Sequence, residues 1–263
     1  MKLWAADLHI HTALSPCAAD EMTPPAIVQA ALERELSMIA ICDHNAAGNA
    51  EAAAAASLCA GRTVAGLKLA VLAGMEIMTA EEVHILGIFP SPAAAAAAAK
   101  EVRATLPEAT VAYHQKFGQQ LVIDSGGSIV DSEPKMLAMA SGFDLSAAVR
   151  LIHRHEGLAI AAHVNRPSFS VFSQLGMFPE DAGFDAIEVF TPCGDGPDAS
   201  RAESHTVVAE FSKYGLPVIA SSDAHYLDDV GSVRSRLRLR EPSFDELVMA
   251  LRGSCGRRVV HDA

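Results

Sequence analysis

The chain has 263 residues, half of them hydrophobic, which is enough for one large α/β domain with a sizeable core. Its formal net charge of −12 argues against a broad basic surface that holds nucleic acid through phosphate contacts. Its five cysteines include no C-x-x-C pair, which predicts a reducing, intracellular environment without a disulfide framework. A signal-peptide core and a long apolar run are both missing, so we expect a cytoplasmic protein without membrane contact.

Seven short apolar runs alternate with helical stretches along the chain. Their sequences, rich in Val, Ile, Leu and Ala, are typical of parallel strands buried on both faces. We expect strands at residues 3–8, 38–42, 69–74, 83–89, 158–164, 186–190 and 217–222. We expect helices at residues 24–36, 47–60, 92–104, 144–156, 198–214 and 243–252. Repeated strand–helix units favour a (β/α) barrel, in which the functional site lies at the carboxyl ends of the strands.

Residues 107–143 interrupt this alternation between the fourth and fifth predicted strands. The pair Gly126-Gly127 lies between β-type residues, which favours the turn of a hairpin, and residues 107–118 favour a helix. We therefore expect a single barrel domain over residues 1–263, with an insertion that forms a small subdomain or lid.

Residue types that bind metal ions occur at or near the ends of the apolar runs. His9 and His11 form an H-x-H pair, which places both imidazoles on one side of an extended strand. Glu76 follows a buried strand, where a carboxylate is costly unless it is paired or bound to metal. The other candidates are His44, His84, His163, Asp223 and His225. Imidazole and carboxylate hold Zn²⁺, Mn²⁺ or Fe, so the combination predicts one metal site at one end of a barrel.

Two of these candidates raise questions of orientation. His84 lies near the start of its apolar run, so its strand runs in another sense or begins earlier. Asp43 directly precedes His44, and a carboxylate there could orient the imidazole as a hydrogen-bond partner.

The motifs D-L-H-I-H-T, C-D-H-N, G-M-E-I, H-I-L-G, A-A-H-V and S-S-D-A-H follow one another between about residues 3 and 240. In this order they resemble the PHP family, which is named for polymerase and histidinol phosphatase. The resemblance implies an α/β fold, a distorted seven-stranded TIM-like barrel. It also implies two or three divalent metal ions (Zn, Mn or Fe) and a metal-dependent phosphoesterase activity.

The resemblance further implies how the ligands divide between the first two ions. Glu76 would bridge them. Their other ligands would be His9, His11 and Asp223 for the first ion and His84 and His163 for the second.

A third ion would be held by His44 and His225, with one more ligand from the loop that follows H-x-H-T. That loop reads L-S-P-C-A-A-D-E-M-T-P, which departs from the S-D-G that is commoner in the family. Asp20 is the first choice for the ligand, and Glu21 and Cys17 are the alternatives, because a thiolate also suits zinc.

The implied reaction is hydrolysis of a phosphate monoester, from a small metabolite or nucleotide, by a metal-activated water. The catalytic residues would be Glu76, Asp223 and Arg166; Arg166 lies three residues beyond a proposed ligand and could clamp the phosphate. The second candidates for the clamp are Arg201, Arg234, Arg236, Arg238 and Arg240. The last four alternate along the chain, which would place them on one face of an extended strand. This spacing favours a solvated edge or a carboxylate-pairing surface more strongly than a phosphate contact.

Three other functions compete with a monoesterase. A phosphodiesterase or exonuclease on nucleic acid is favoured only by the arginine cluster, because basic stretches with interleaved aromatic residues are missing. A barrel amidohydrolase also uses H-x-H and a late Asp, but it suits Asp43-His44 less well. A catalytically silent, metal-bound regulatory module is disfavoured by the intact ligand set. The expected partner is therefore a small phosphorylated substrate, and the oligomeric state is left open.

Overall fold

The computed structural model describes residues 1–61, 64, 66, 68–190 and 206–261. The strands are β1 (Lys2–Ile10), β2 (Met38–Ile41), β3 (Ala70–Met78), β4 (His84–Phe89), β5 (Leu121–Ile123), β6 (Ile129–Ser132), β7 (Leu158–Ala161), β8 (Ala186–Val189), β9 (Val218–Ala220), β10 (Ser235–Leu239) and β11 (Arg258–Val260). The helices are α1 (Pro24–Glu33), α2 (Ala50–Cys59), α3 (Pro92–Arg103), α4 (Val111–Phe117), α5 (Leu145–Arg154), α6 (Val171–Leu175), α7 (206–212) and α8 (Phe244–Leu251).

Nine strands form one sheet in the order β11-β10-β1-β2-β3-β4-β7-β8-β9. The strands β1, β2 and β3 are parallel, and so are β7, β8 and β9, whereas β4 is antiparallel to both of its neighbours. The sheet nearly closes, because Ile10 at the end of β1 forms a parallel bridge to Ala224, just beyond β9. The result is the predicted α/β, barrel-like fold.

The reversed direction of β4 explains why His84 lies at the start of its apolar run and not at the end. Because β4 runs against β3 and β7, its first residue lies beside their carboxyl ends: His84 pairs with Met78, the last residue of β3. The strand does not begin earlier.

All seven predicted strands are present, but β10 and β11 were not predicted. Along β10, Ser235, Leu237 and Leu239 are buried, whereas Arg236 and Arg238 are exposed. The arginine alternation is therefore the solvated face of a strand that pairs with the amino-terminal half of β1. The predicted helix at 198–214 is present over residues 206–212, and residues 198–205 lie outside the described part of the chain.

The insertion contains the predicted helix and hairpin, as α4 and as the antiparallel pair β5–β6. It is fastened to the loops that carry His11 and His44. The Asn45 side chain donates to the backbone carbonyls of Leu137 and Met139, and Leu121 N donates to Ala13 O. Its action as a lid stays a prediction.

Two apolar clusters lie on the two faces of the main sheet. Alternate residues go to opposite faces, as the period of a strand requires: Ile39 and Ile41 join one cluster, and Met38 and Ala40 join the other. Helices α1, α2, α3 and α5 cover the first cluster, and α8 covers part of the second. None of the described helices is long and apolar enough to cross a membrane.

Gly74 allows β2, β3 and β4 to approach closely. A Cβ atom at this position would lie 2.6 Å from Cys42 Sγ and 3.0 Å from the carbonyl oxygen of Gly87.

We expect Gly74→Ala to lower the free energy of unfolding by about 1–3 kcal/mol, because the surrounding sheet has little room to shift. Denaturant unfolding measures this change. Gly126→Ala, at the hairpin tip, is the matched control and should stay within about 0.5 kcal/mol of the wild type; equal effects of the two substitutions would contradict the close approach.

Candidate metal centre

The predicted ligands converge at the end of the barrel where the parallel strands finish. His9 and His11 come from the carboxyl end of β1, and His44 follows β2. Glu76 lies near the end of β3, bridged through its backbone to His44. The remaining members are His84 at the start of β4, His163 after β7, and Asp223 and His225 after β9.

The carboxylate of Glu76 lies in the middle of this group and is only 1% exposed. Five imidazole nitrogens approach its oxygens: His44 Nδ1 at 2.8 Å, His84 Nδ1 at 2.8 Å, His163 Nε2 at 3.0 Å, His9 Nε2 at 3.5 Å and His11 Nε2 at 3.5 Å. Burial alone would raise the pKa of Glu76, but these imidazoles, His84 first, hold it well below its usual range. The surrounding imidazoles therefore favour the ionised form of the carboxylate.

Asp223 also belongs to this cluster of side chains. Its Oδ1 atom lies 3.0 Å from His11 Nε2 and 3.2 Å from His9 Nε2. Both Asp223 and His163 have positive φ angles, 50° and 26°. Such conformations cost a non-glycine residue of order 1–3 kcal/mol and persist where the surroundings impose them. They occur here at two of the proposed ligands.

Hydrogen bonds fix the tautomers of two histidines so that their Nε2 lone pairs face the cluster. His9 donates from Nδ1 to Glu188, and His11 donates from Nδ1 to Ser15 Oγ. The two Nε2 atoms nevertheless lie only 3.0 Å apart. Lone pairs at this distance repel unless a positive charge lies between or beside them. The geometry therefore fits a cation.

Buried polar atoms that make no hydrogen bond also indicate a site for a cation. Within the described residues, His44 Nδ1, Glu76 Oε2, both ring nitrogens of His84, and His163 Nδ1 are buried and make no hydrogen bond. His44 Nδ1 and His84 Nδ1 each lie 2.8 Å from a Glu76 oxygen, but not in hydrogen-bond geometry. Native proteins rarely leave such atoms unsatisfied. Three overlapping sets have ligand atoms within 4.8 Å of one another: His9, His11 and Glu76; His44, Glu76 and His84; and His11, His44 and His225. Imidazole and carboxylate together suit Zn²⁺, Mn²⁺ or Fe.

The surroundings of His9 also favour a positive charge. Burial opposes protonation, but Glu188, Asp223 and Glu76 surround the ring and raise the pKa of His9 well above its usual range. The carboxylates would favour a metal cation at this point for the same reason.

The loop after H-x-H-T brings Cys17 to the cluster, and not the first choice, Asp20. Asp20 and Glu21 are exposed, and the hydrogen bonds and ion pairs of the described residues do not join them to the histidines. In contrast, Cys17 Sγ lies 3.1 Å from His44 Nε2 and 3.0 Å from His225 Nε2. Cys17 as a residue is also exposed, but its thiol is partly desolvated against these rings. Desolvation would raise the pKa of the thiol, but the two imidazoles outweigh it and lower the pKa to about 6.

Asp43 has a different role from the one expected. It does not contact the His44 imidazole through a hydrogen bond; its carboxylate accepts from Thr12 N, Thr12 Oγ1 and Ser15 Oγ. Ser15 Oγ in turn accepts from His11 Nδ1 and from His44 N. Asp43 therefore positions His11 through Ser15.

Glu188 was missed by sequence reasoning. It is a buried carboxylate in β8 that accepts from His9 Nδ1 and from the backbone N–H of His163, both at 3.0 Å. A lone acidic residue in the apolar run A-I-E-V-F was the available signal, because a buried charge requires partners. Glu188 therefore holds in place one ligand of each of the first two metal positions: His9 at the first and His163 at the second.

Arg166 lies at the edge of the cluster. Its Nη1 donates to Asp223 Oδ2, and its guanidinium packs 4.2 Å from the centre of the Phe190 ring. It also lines a cavity of about 490 Å³ together with residues of α6 and α7, including Phe172 and Phe211. The arginines at 234–240 belong to the solvated face of β10, and Arg201 lies outside the described residues.

The family comparisons agree with this geometry. A model described as PHP domain matches residues 7–188, and one described as PHP-associated matches residues 207–255. The chain belongs to the PHP domain family. PHP domains bind divalent metal ions, and family members are metal-dependent hydrolases. No curated protein sequence matches the chain.

Three solved structures share the fold. The lesion-specific endonuclease Q of Pyrococcus furiosus is 19% identical with a TM-score of 0.67; the match covers 98% of this chain and 58% of the endonuclease. A protein of Bifidobacterium adolescentis, provisionally named a metal-dependent phosphoesterase, is 21% identical with a TM-score of 0.54 and coverages of 84% and 87%. An amidohydrolase of Chromobacterium violaceum is 20% identical with a TM-score of 0.60 and coverages of 98% and 98%.

Glu188 offers a test of how the ligands are held. We expect Glu188→Gln to weaken metal binding roughly 10–100-fold, as is usual when the carboxylate partner of a ligating histidine is lost. Competition with a chelator measures the affinity, and circular dichroism checks the fold. Glu241→Gln, on the exposed surface, is the matched control. Unchanged affinity in Glu188→Gln would contradict this positioning role.

Proposed function

We propose that the protein is a phosphoesterase that hydrolyses a phosphate monoester of a small metabolite or nucleotide through a metal-activated water. The observation that carries the proposal is the central carboxylate of Glu76: His9, His84 and His163 approach its Oε1 atom, and His11 and His44 approach its Oε2 atom. Shared carboxylates are suited to ions a few ångströms apart, which act together on phosphate esters.

The residues divide between two principal positions and a third. Glu76 would be common to the first two. The other ligands would be His9, His11 and Asp223 at the first position, His84 and His163 at the second, and His44 and His225 at the third. Bound divalent ions would polarise the phosphoryl oxygens and lower the pKa of water.

The protein groups supply orientation and charge. Glu188 and Ser15 hold His9 and His11 with their Nε2 atoms toward the site. Arg166 donates to Asp223 and also lines the cavity, so its guanidinium could donate to a phosphoryl oxygen of a substrate bound in the cavity. The net charge of −12 does not oppose an anionic substrate, because the ions dominate the local charge.

A nuclease acting on phosphodiesters is the second candidate. Its support is the fold shared with the endonuclease, of which this chain spans only 58%. Against it, the arginine face of β10 lies along the amino-terminal half of β1, whereas the ligands lie at the carboxyl end. A panel of monoesters and diesters separates the two reactions.

Removal of the shared carboxylate tests the proposed function. We expect Glu76→Ala to lose bound metal and to lower monoester hydrolysis at least about 1,000-fold, because two positions lose a ligand at once. Elemental analysis and phosphate release measure the two effects, with Glu241→Gln as the control. Full turnover in Glu76→Ala, or hydrolysis of diesters alone by the wild type, would overturn the monoesterase proposal.

Arg166 tests the phosphate contact. We expect Arg166→Met to keep its metal content and to lower kcat/KM roughly 10–100-fold, which corresponds to the loss of a charge-assisted hydrogen bond worth about 1.5–3 kcal/mol. Arg238→Met, on the solvated face of β10, should match the wild type. Loss of metal in Arg166→Met would instead assign Arg166 to holding Asp223.

A further inference from the structure

The loop between β1 and α1 places a sulfur atom where the third metal position needs a ligand. Cys17 Sγ lies 3.1 Å from His44 Nε2 and 3.0 Å from His225 Nε2. The Nδ1 atom of His225 donates to the carbonyl oxygen of Asp223 at 2.8 Å. That bond fixes the proton on Nδ1, so the lone pair of Nε2 faces the sulfur.

The backbone of the loop holds Cys17 in this place and turns the following carboxylates outward. Ala18 N donates to Ser15 O, and Ala19 N donates to the carbonyl oxygen of His225, both at 3.0 Å. Met22 N then donates to Ala19 O at 2.9 Å, and its side chain is fully buried. The chain between Ala19 and Met22 is therefore a tight turn on the surface, and Asp20 lies on it.

We infer that the third metal position is a thiolate site, in which Cys17 joins His44 and His225 to hold a thiophilic divalent cation such as zinc. The inference rests on the metal centre of the proposed function and deepens it. Two imidazoles and one thiolate leave a fourth tetrahedral position open, which is the arrangement of a catalytic zinc site and not of a closed structural one.

The sulfur ligand sets this position apart from the other two. The first two positions have nitrogen and oxygen ligands only, which suit Mn²⁺ and Fe as well as Zn²⁺. A thiolate disfavours Mg²⁺ and Mn²⁺ and favours Zn²⁺ or Co²⁺. We therefore expect the third position to retain zinc under conditions in which the other two exchange with manganese.

Cobalt loading of the 263-residue chain tests the thiolate directly. Protein that has been stripped of metal and reloaded with Co²⁺ should show the near-ultraviolet charge-transfer band of a cobalt–thiolate bond. The band should persist in Cys59→Ser, which removes another exposed cysteine, and in Asp20→Asn. It should vanish in Cys17→Ser, together with about one equivalent of bound cobalt.

Alkylation of the wild-type protein gives a second measurement. We expect bound Zn²⁺ to protect Cys17 from iodoacetamide at least about tenfold relative to Cys59, as read by peptide mass spectrometry. A missing band in the wild type, full metal content in Cys17→Ser, or loss of an equivalent in Asp20→Asn would each overturn the thiolate site. None of these readouts uses phosphate release, so failure of the thiolate site is distinguishable from failure of the proposed reaction.

Discussion

The buried carboxylate of Glu76 is the constraint on which this end of the barrel depends. Removing an ion from water costs several kcal/mol even after the protein relaxes, and the cost must be offset locally. The neighbours of Glu76 are five imidazole rings, two of which, His84 and His163, have a nitrogen atom without a hydrogen-bond partner on the far side from Glu76. Neutral rings alone cannot offset a negative charge. The cluster therefore requires protons or metal cations, and the raised pKa of His9 and the lowered pKa of Glu76 express the same requirement.

The fold meets this requirement through strand direction and through a layer of supporting hydrogen bonds. Parallel strands bring their carboxyl ends together, and the reversed β4 brings its first residue, His84, to the same place. Behind the ligands, Glu188 holds His9 and the backbone of His163, and Asp43 holds His11 through Ser15. The sheet thus supplies position, and the buried acids supply orientation.

The strands that carry the ligands could be predicted because their apolar runs are continuous and are followed by recognisable motifs. What escaped prediction has neither a continuous apolar run nor a recognisable motif. β10 alternates exposed Arg with buried residues, and only its pairing with β1 shows that this solvated face belongs to a strand of the main sheet. The choice of Cys17 over Asp20 depends on two backbone hydrogen bonds in a turn. The role of Glu188 depends on a partner 179 residues away.

Fold likeness does not decide the reaction, because an endonuclease, a provisional phosphoesterase and an amidohydrolase share this architecture at about one fifth identity. Which reaction the protein catalyses depends on how metal ions are arranged around Glu76.

Anomalous diffraction from crystals of the metal-loaded protein, collected at the metal absorption edges, tests this arrangement most directly. The account predicts one ion held by His9, His11, Glu76 and Asp223 and a second held by Glu76, His84 and His163. A single ion, or ions that do not contact Glu76, would contradict it.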